Sequence, residues 1–158
     1  MQVKDALEAI QLFVETISKL SDMKCKIRIV RPKKLFKYYW RNYAPNQDDI
    51  HKSGIYLFSD PDDQLLYIGK AASDNMWHEI WGKLLTPSED SEDMPFFNKS
   101  PWVDESKEGK YIKNGDFFIT VVICDPSDLA SLLEVYLQYL HKTVTADRKL
   151  PVFNFRIG

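Results

Sequence analysis

Apolar residues recur along this chain with two periods, and the change of period separates helices from strands. Near the N-terminus they fall at alternating four- and three-residue steps, the spacing of one face of an amphipathic helix that ends near Leu20. The positions that form this face are Val3, Leu7, Ile10, Val14 and Ile17. Lys26 to Val30 instead alternates polar and apolar residues, which predicts a strand that Pro32 ends.

The stretch from Ser53 to Lys70 predicts a β-hairpin. Two apolar, aromatic-rich runs, residues 54–59 and 65–70, flank a polar loop, residues 60–64, made of aspartate, proline and glutamine. This pattern is typical of two antiparallel strands joined by a turn.

A helix and a long loop are predicted after the hairpin. Ser73 or Asp74 supplies an N-cap, and apolar residues continue at helical spacing to Leu84. From Thr86 to Glu108 the sequence is acidic, contains three prolines and shows no sustained period. It is therefore predicted to be a surface loop.

The last part of the chain predicts a strand, a helix and an extended end. Phe117 to Cys124 is a continuous run of apolar, mostly aromatic and β-branched residues, which is typical of a buried strand. Asp125 then supplies an N-cap, and Pro126 the first position, of a helix that reaches about Lys142. Leu150 to Phe155 is predicted to be extended.

Composition places the chain among ordinary globular proteins. Its 158 residues are 44% hydrophobic and 28% charged, which suits one domain with its own core. No apolar run is long enough to span a bilayer, and the N-terminus lacks the pattern of a signal peptide. Cys25 and Cys124 are far apart, with no His or Cys at metal-ligand spacing. We therefore expect a cytoplasmic protein with reduced thiols and no membrane association.

Charge is segregated along the sequence, although the net charge is only -2. Residues 24–47 contain basic but no acidic side chains, and aromatic residues are interleaved with them. Because cations neutralise phosphates and flat rings stack on bases, this stretch suits a nucleic-acid surface. The residues predicted to contact nucleic acid are Lys33, Lys34, Lys37 and Arg41. A solvated strand face whose aromatics pack on the core explains the same pattern equally well.

Two tripeptides in the predicted hairpin carry a family resemblance. Gly54-Ile55-Tyr56 lies on the first strand, and Tyr67-Ile68-Gly69, followed by Lys70, lies on the second. From about Ser53 to Gly158 the chain resembles the GIY-YIG nucleases, which are named for these tripeptides. A hairpin that holds its tyrosines for packing alone is the alternative.

The resemblance implies an α+β fold, in which a small three-stranded antiparallel sheet is flanked by helices. Residues 53–158 would form this GIY-YIG-like domain, and residues 1–52 would add a helix and a basic, aromatic strand extension within one compact unit. The N-terminal helix is expected to pack on its own domain, while its heptad-like spacing also allows a homodimer.

The resemblance also implies a catalytic site that binds Mg²⁺ or Mn²⁺. Glu134, in the sequence Leu132-Leu133-Glu134, would be the metal ligand, and it lies at the border of the apolar face of its helix. Tyr56 would accept the proton of the attacking water, which requires nearby cations that lower the pKa of its phenol from about 10. Supporting roles are implied for Lys70 as a cation, Tyr67 in positioning, Gly54 and Gly69 in close backbone approach, and Asn154 in tying the C-terminal tail to the site. These side chains are expected to converge on one cleft.

One position departs from the family pattern. The family places an arginine on the helix after the second strand, whereas this chain has no arginine between Tyr43 and Asp147. Trp77 and Trp81 occupy the expected places. The residues that could contact the phosphate instead are His78 and Lys83 on this helix, and Arg41, Arg148 and Arg156 elsewhere.

The sequence therefore predicts a magnesium-dependent endonuclease whose substrate is DNA. The alternative from another class is a GIY-YIG-like module that binds nucleic acid or a protein partner without cutting. A protein-interaction domain that uses the first helix is the third interpretation.

Overall fold

The computed structural model describes residues 1–21, 24–34, 51–84, 106–113, 116–154 and 157. Its elements in chain order are α1 Val3–Leu20, β1 Lys26–Lys34, β2 Gly54–Ser59, β3 Leu65–Ala71, α2 Met76–Leu84, α3 Lys107–Lys113, β4 Phe118–Asp125 and α4 Leu129–Val144. The fold is a mixed α+β fold, which is the class that the sequence resemblance implies. No helix within these residues is long and apolar enough to cross a membrane.

Four antiparallel strands form one sheet in the order β1-β4-β2-β3. In the predicted hairpin, Tyr56 of β2 lies opposite Gly69 of β3, and Ile55 lies opposite Lys70. The prediction of three strands is wrong, because β1 from the N-terminal extension pairs along β4. This pairing satisfies backbone groups that would otherwise leave β4 as an open edge.

Helices cover both faces of the sheet, and each face has its own apolar core. One core lies between the sheet and helices α1 and α4, and it includes Ala6, Ile10, Ile55, Ile68, Leu133 and Leu137. The other lies between the sheet and helices α2 and α3, and it includes Tyr56, Phe58, Tyr67, Met76, Ile80 and Ile112. Because side chains alternate along a strand, neighbouring residues of β2 contribute to opposite cores.

The hairpin loop is held by one aspartate and fixes the start of α1. The Asp60 carboxylate accepts hydrogen bonds from the backbone amides of Asp62 and Gln64, at 2.9 and 2.8 Å. Asp63 adopts a φ of 64°, and its carbonyl accepts a hydrogen bond from the amide of Val3 at 3.0 Å. The polar loop that separates the two strands therefore also anchors the first helix.

β1 continues past the proline that is predicted to end it. Its pairing with β4 shifts register between Val30 and Lys33, and it resumes with Lys33 opposite Ile119. A bulge lets a strand pass a residue that has no amide hydrogen for the ladder. β1 therefore continues past Pro32 with a shift of register and does not end there.

α4 begins later than the proline pattern predicts. Asp128, not Asp125, precedes the first helical residue. The amide of Leu129 donates to the carbonyl of Pro126 at 3.2 Å, so residues 126–128 form a turn before the helix. The proline is accommodated in this turn and not at the first helical position.

The start of α2 is tied to the residues before β2. The predicted cap, Asp74, accepts a hydrogen bond from Ser53 Oγ at 2.8 Å. The amide of Met76 donates to the carbonyl of Lys52 at 3.3 Å. These bonds fix the angle at which α2 leaves the hairpin.

Two segments near the predicted loop and the chain end also differ from expectation. The loop is predicted to extend to Glu108, but α3 begins at Lys107. The Gly109 amide donates a hydrogen bond to Ser106 Oγ at 3.0 Å, which caps the first turn of this helix. Residues 85–105 of the predicted loop lie outside the described residues. Residues 151–154 form a turn and are not extended, because the Asn154 amide donates to the Pro151 carbonyl at 2.8 Å.

Candidate active site

Tyr56 and Tyr67 form a buried pair on the side of the sheet that α2 and α3 cover. Tyr56 is 1% exposed and Tyr67 8% exposed, and their ring centroids are 5.9 Å apart. Each tyrosine changes the pKa of the other, so the two phenol groups interact. The hairpin register creates this pair, because it sets the two tyrosines on one face of neighbouring strands.

Gly69 provides the space that the Tyr56 ring occupies. A Cβ atom at Gly69 would lie 2.6 Å from the Tyr56 hydroxyl oxygen and 2.6 Å from Tyr67 Cε1. Since Gly69 is in β3, at the edge of the sheet, the Tyr56 ring extends across β3 towards that edge. Gly54 plays a similar part for β4 and α2, since a Cβ there would overlap the backbone carbonyl oxygen of Val122 and lie 2.9 Å from Met76 Cε. Both glycines are thus used for contacts between protein groups.

The surroundings of the two tyrosines favour their neutral forms. Burial raises the pKa of Tyr56 far above its usual value, and the nearby Tyr67 and the carboxylates of Glu79 and Glu134 raise it further. Burial also raises the pKa of Tyr67, to about 12, and the same two carboxylates add to this increase. The predicted lowering of the Tyr56 pKa by nearby cations is therefore absent from the described surroundings.

Lys70 and Glu134 form an ion pair on the other side of β3. Lys70 Nζ lies 2.9 Å from Glu134 Oε2, and the two side chains are 33% and 9% exposed. Lys70 is opposite Ile55, whose side chain belongs to the core under α1 and α4. The pair therefore starts from the sheet face opposite to the tyrosines.

The four residues expected to converge thus occur as two pairs around one edge strand. The tyrosine pair lies on one face of β3 and the ion pair on the other, within the segment 67–70 and its neighbours. The pairs remain electrostatically connected, because the Glu134 carboxylate contributes to the raised pKa of both tyrosines. The structure therefore brings these side chains together as two pairs on opposite faces of β3 and not in one cleft.

Asn154 and Gln138 hold the outer edge of β3. The Asn154 side chain accepts a hydrogen bond from the Ile68 amide and donates one to the Ile68 carbonyl, each at 2.8 Å. Gln138 Nε2 donates to the same carbonyl at 3.3 Å. The amide of Phe153 donates to the carbonyl of Leu66 at 3.0 Å. Asn154 therefore positions the strand that carries Tyr67 and Lys70, and it acts through Ile68.

Helix α2 places a carboxylate near the tyrosines and the predicted histidine away from them. His78 is exposed, on the side of α2 opposite to the buried Met76 and Ile80. Glu79 is half-buried, and Asn75 Nδ2 donates to its Oε1 atom at 3.1 Å. Sequence reasoning missed Glu79, although its place beside Ile80 on the border of the apolar face is the same signal that identifies Glu134.

The structure describes only some of the remaining residues that are predicted to contact phosphate. Lys33 and Lys34 belong to β1, whereas Lys37, Arg41 and Arg156 lie outside the described residues. Lys83 is half-buried on α2, and Arg148 is exposed beyond the C-terminal end of α4.

The protein ligands available at Glu134 suit a divalent ion that is bound through few side chains. Among the described residues no group of three or more His, Cys, Asp or Glu side chains could hold a metal. Mg²⁺ needs fewer protein ligands, because it usually keeps several waters and binds one or two carboxylates together with substrate phosphates. Glu134 can supply one such carboxylate, and it would share that carboxylate between the ion and Lys70.

Comparison with models of known families, with curated proteins and with solved structures finds no match to this chain.

Proposed function

We propose that this protein is a GIY-YIG-type endonuclease that hydrolyses phosphodiester bonds in DNA with the help of Mg²⁺ or Mn²⁺. The observation that carries the proposal is the arrangement around β3, where a buried tyrosine pair and a Lys–Glu ion pair flank Gly69. Both tripeptides of the sequence resemblance contribute to this arrangement. The fold alone would not distinguish a nuclease from other small α+β domains.

Phosphodiester hydrolysis requires stabilisation of charge on the phosphoryl oxygens, an oriented water and a base for its proton. Neutral phenols are hydrogen-bond donors, so Tyr56 and Tyr67 suit contact with non-bridging oxygens. Lys70 supplies a positive charge at the same strand edge. Glu134 would hold the divalent ion, which when bound supplies Lewis-acid polarisation of the phosphate.

The base is the most demanding role in this site. The resemblance assigns it to Tyr56, but burial and two carboxylates favour the neutral phenol. The phenolate would form only with a cation close to its hydroxyl. A pH profile therefore tests the assignment, since a tyrosinate base gives activity that rises into the alkaline range.

A second candidate is a module that binds nucleic acid without cutting it. This alternative is supported by the carboxylate of Glu79 beside the tyrosines and by the lack of any arginine on α2. A like-charged carboxylate opposes phosphate binding, and loss of a preorganised cation typically lowers a rate by roughly 10²- to 10³-fold.

Nicking of supercoiled plasmid by the purified chain, with Mg²⁺, Mn²⁺ or EDTA, separates the two functions. We expect nicking that depends on the divalent ion and that falls by at least about 100-fold in Tyr56→Phe and in Glu134→Gln. Glu8→Gln, at an exposed position of α1, is the matched control and should leave the rate unchanged. DNA binding without nicking by the wild type would establish the non-catalytic module instead.

A further inference from the structure

A cavity of about 410 Å³ opens at the C-terminal end of α4, away from the tyrosine pair. It is lined by Tyr139, Lys142, Thr143 and Arg148. One aromatic ring, two hydroxyl groups and two cations therefore meet in a concave surface, and none of its described lining residues is acidic. We call it the α4 pocket. Its volume falls within the range of small-ligand sites.

The backbone arranges these side chains on one surface. Tyr139, Lys142 and Thr143 have the i, i+3 and i+4 spacing that places residues on one face of a helix. Arg148 comes from the following turn, where its φ is 53° and its amide donates to the Thr145 carbonyl at 3.0 Å. The Tyr139 side chain remains 60% exposed, so its ring is accessible for stacking.

The helix end would oppose a phosphate if its carbonyls were unpaired, because the C-terminus of a helix carries partial negative charge. Here the Leu140 carbonyl accepts from Thr143 Oγ1 at 2.8 Å. The His141 carbonyl accepts from both the amide and the hydroxyl of Thr145, at 3.1 and 2.8 Å. These two carbonyls are therefore already paired, and Lys142 and Arg148 supply positive charge to the pocket.

We propose that the α4 pocket binds an unpaired nucleotide of a single-stranded nucleic acid, with the base stacked on Tyr139 and the adjoining phosphates on Lys142 and Arg148. Base–aromatic stacking beside a cationic groove is the usual way in which proteins hold single strands. A base inside a duplex is excluded from this contact, because its faces are covered by neighbouring base pairs.

This inference rests on the nucleic-acid component of the proposed function and adds the form of the substrate. Tyr139 follows Glu134 on the same helix, about 7.5 Å further along its axis at 1.5 Å per residue. Tyr139 is also turned by about 140° from Glu134 around the helix axis, so a single strand held in the pocket would have to pass around the side of α4 to reach β3. The substrate we infer contains an unpaired segment in addition to the bond that is cut.

Fluorescence anisotropy with a labelled oligo(dT) of about 20 nucleotides, in EDTA so that nothing is cut, tests the pocket directly. Tyr139→Leu should weaken binding by roughly 5- to 150-fold, the value of one stacked base. Tyr139→Trp should preserve binding, because it retains an aromatic face. The double variant Lys142→Ala and Arg148→Ala should reduce the salt dependence, lowering the slope of log K against log salt by about 1.4 for two lost phosphate contacts.

Leu132→Ala is the matched control, because Leu132 is 51% exposed on α4 but does not line the pocket. It should bind oligo(dT) as the wild type does; an equal loss in this variant would assign the face to an apolar contact and overturn the proposal. Unchanged binding by Tyr139→Leu, or an equal loss on a blunt duplex of the same length, would also overturn it. Failure to nick plasmid, with these binding results intact, would remove only the nuclease function.

Discussion

The phenol group of Tyr56 occupies the place where a side chain of Gly69 would begin. The hydroxyl oxygen of Tyr56 lies 2.6 Å from the position of that missing Cβ atom, and the two residues are opposite each other in the hairpin. The glycine of the second tripeptide is therefore needed to make room for the tyrosine of the first. The pairing of a tyrosine on β2 with a glycine on β3 has a packing reason that is independent of catalysis.

Gly69→Ala should destabilise the protein by about 1–3 kcal/mol, the usual cost of forcing an extra group into a packed core. Both the buried Tyr56 ring and Tyr67 Cε1 would have to shift. Gly82→Ala is the matched control, because outside its chain neighbours and its own helix backbone no atom lies within 4 Å of the new Cβ. It replaces glycine inside α2 and should stabilise by about 0.5–1 kcal/mol. The unfolding free energies of the two variants can be measured by chemical denaturation. If both differed from the wild type in the same direction, the result would contradict this account.

The elements that the sequence predicts well are those set by local patterns. β2, β3 and β4 are runs of aromatic and β-branched residues bounded by turn residues, and each of them is present. The pairing of β1 with β4 was not predicted, because it depends on which distant strand fills an open edge. Pro32 likewise predicts the end of a strand when only the local sequence is considered. The pairing of β1 with β4 nevertheless continues past this proline through a bulge.

The same limit applies to the candidate site: local patterns identify single residues, but they do not indicate which residues of other elements lie next to them. Periodicity identifies Glu134 as a border residue of α4, but it does not indicate that Lys70 occupies its carboxylate. It likewise gives Glu79 a border position on α2 without indicating that the tyrosines lie nearby. Each of these relationships joins two elements, and its prediction requires the crossing geometry of the elements as well as their patterns.

Lys70→Met should destabilise the protein more than Glu134→Gln does. It leaves a carboxylate that is only 9% exposed without its cation, whereas a lone Lys70, which is 33% exposed, can turn its ammonium group to water. We expect a loss of about 1–3 kcal/mol for Lys70→Met in denaturation experiments. Lys149→Met is the control, because the pair of Lys149 with Asp147 at 3.6 Å is largely exposed and should contribute less than about 1 kcal/mol. Equal losses in the two lysine variants would show that the Glu134 carboxylate is well solvated.

Asn154→Ala should loosen the edge of β3 at a single residue. It removes both hydrogen bonds that the Asn154 side chain makes with the Ile68 backbone, and the expected cost is about 1–3 kcal/mol. The more specific measurement is hydrogen exchange of the Ile68 amide, which should become faster relative to the wild type. Val152→Ala, at an exposed position of the same turn, should change neither the stability nor this exchange rate. Unaltered protection of the Ile68 amide in Asn154→Ala would mean that the tail does not hold the strand.

Tyr67 should make the folded protein less stable in alkaline solution. Its pKa rises from 10.0 to about 12 on folding, mainly through burial. Between these values the unfolded chain has lost the phenol proton and the folded chain has kept it, so the unfolded state binds fewer protons and stability falls as pH rises. The contribution of Tyr67 is fully present below pH 10 and is lost as the pH approaches 12, a change of roughly 2 kcal/mol.

The difference in unfolding free energy between wild type and Tyr67→Phe, measured across this pH window, isolates that contribution from other alkaline titrations. The difference should shrink as the pH rises from 10 to 12, because only the wild type loses the stabilisation of its neutral phenol. Glu79→Gln gives an independent check, since removing a carboxylate that raises the Tyr67 pKa should move the ultraviolet titration of the folded tyrosine to lower pH. Tyr139→Phe, which changes an exposed ring, is the matched control and should leave both measurements unaltered. A Tyr67→Phe difference that stays constant with pH would mean that water reaches the tyrosine pair, and the neutral-donor role proposed for it would then have to be abandoned.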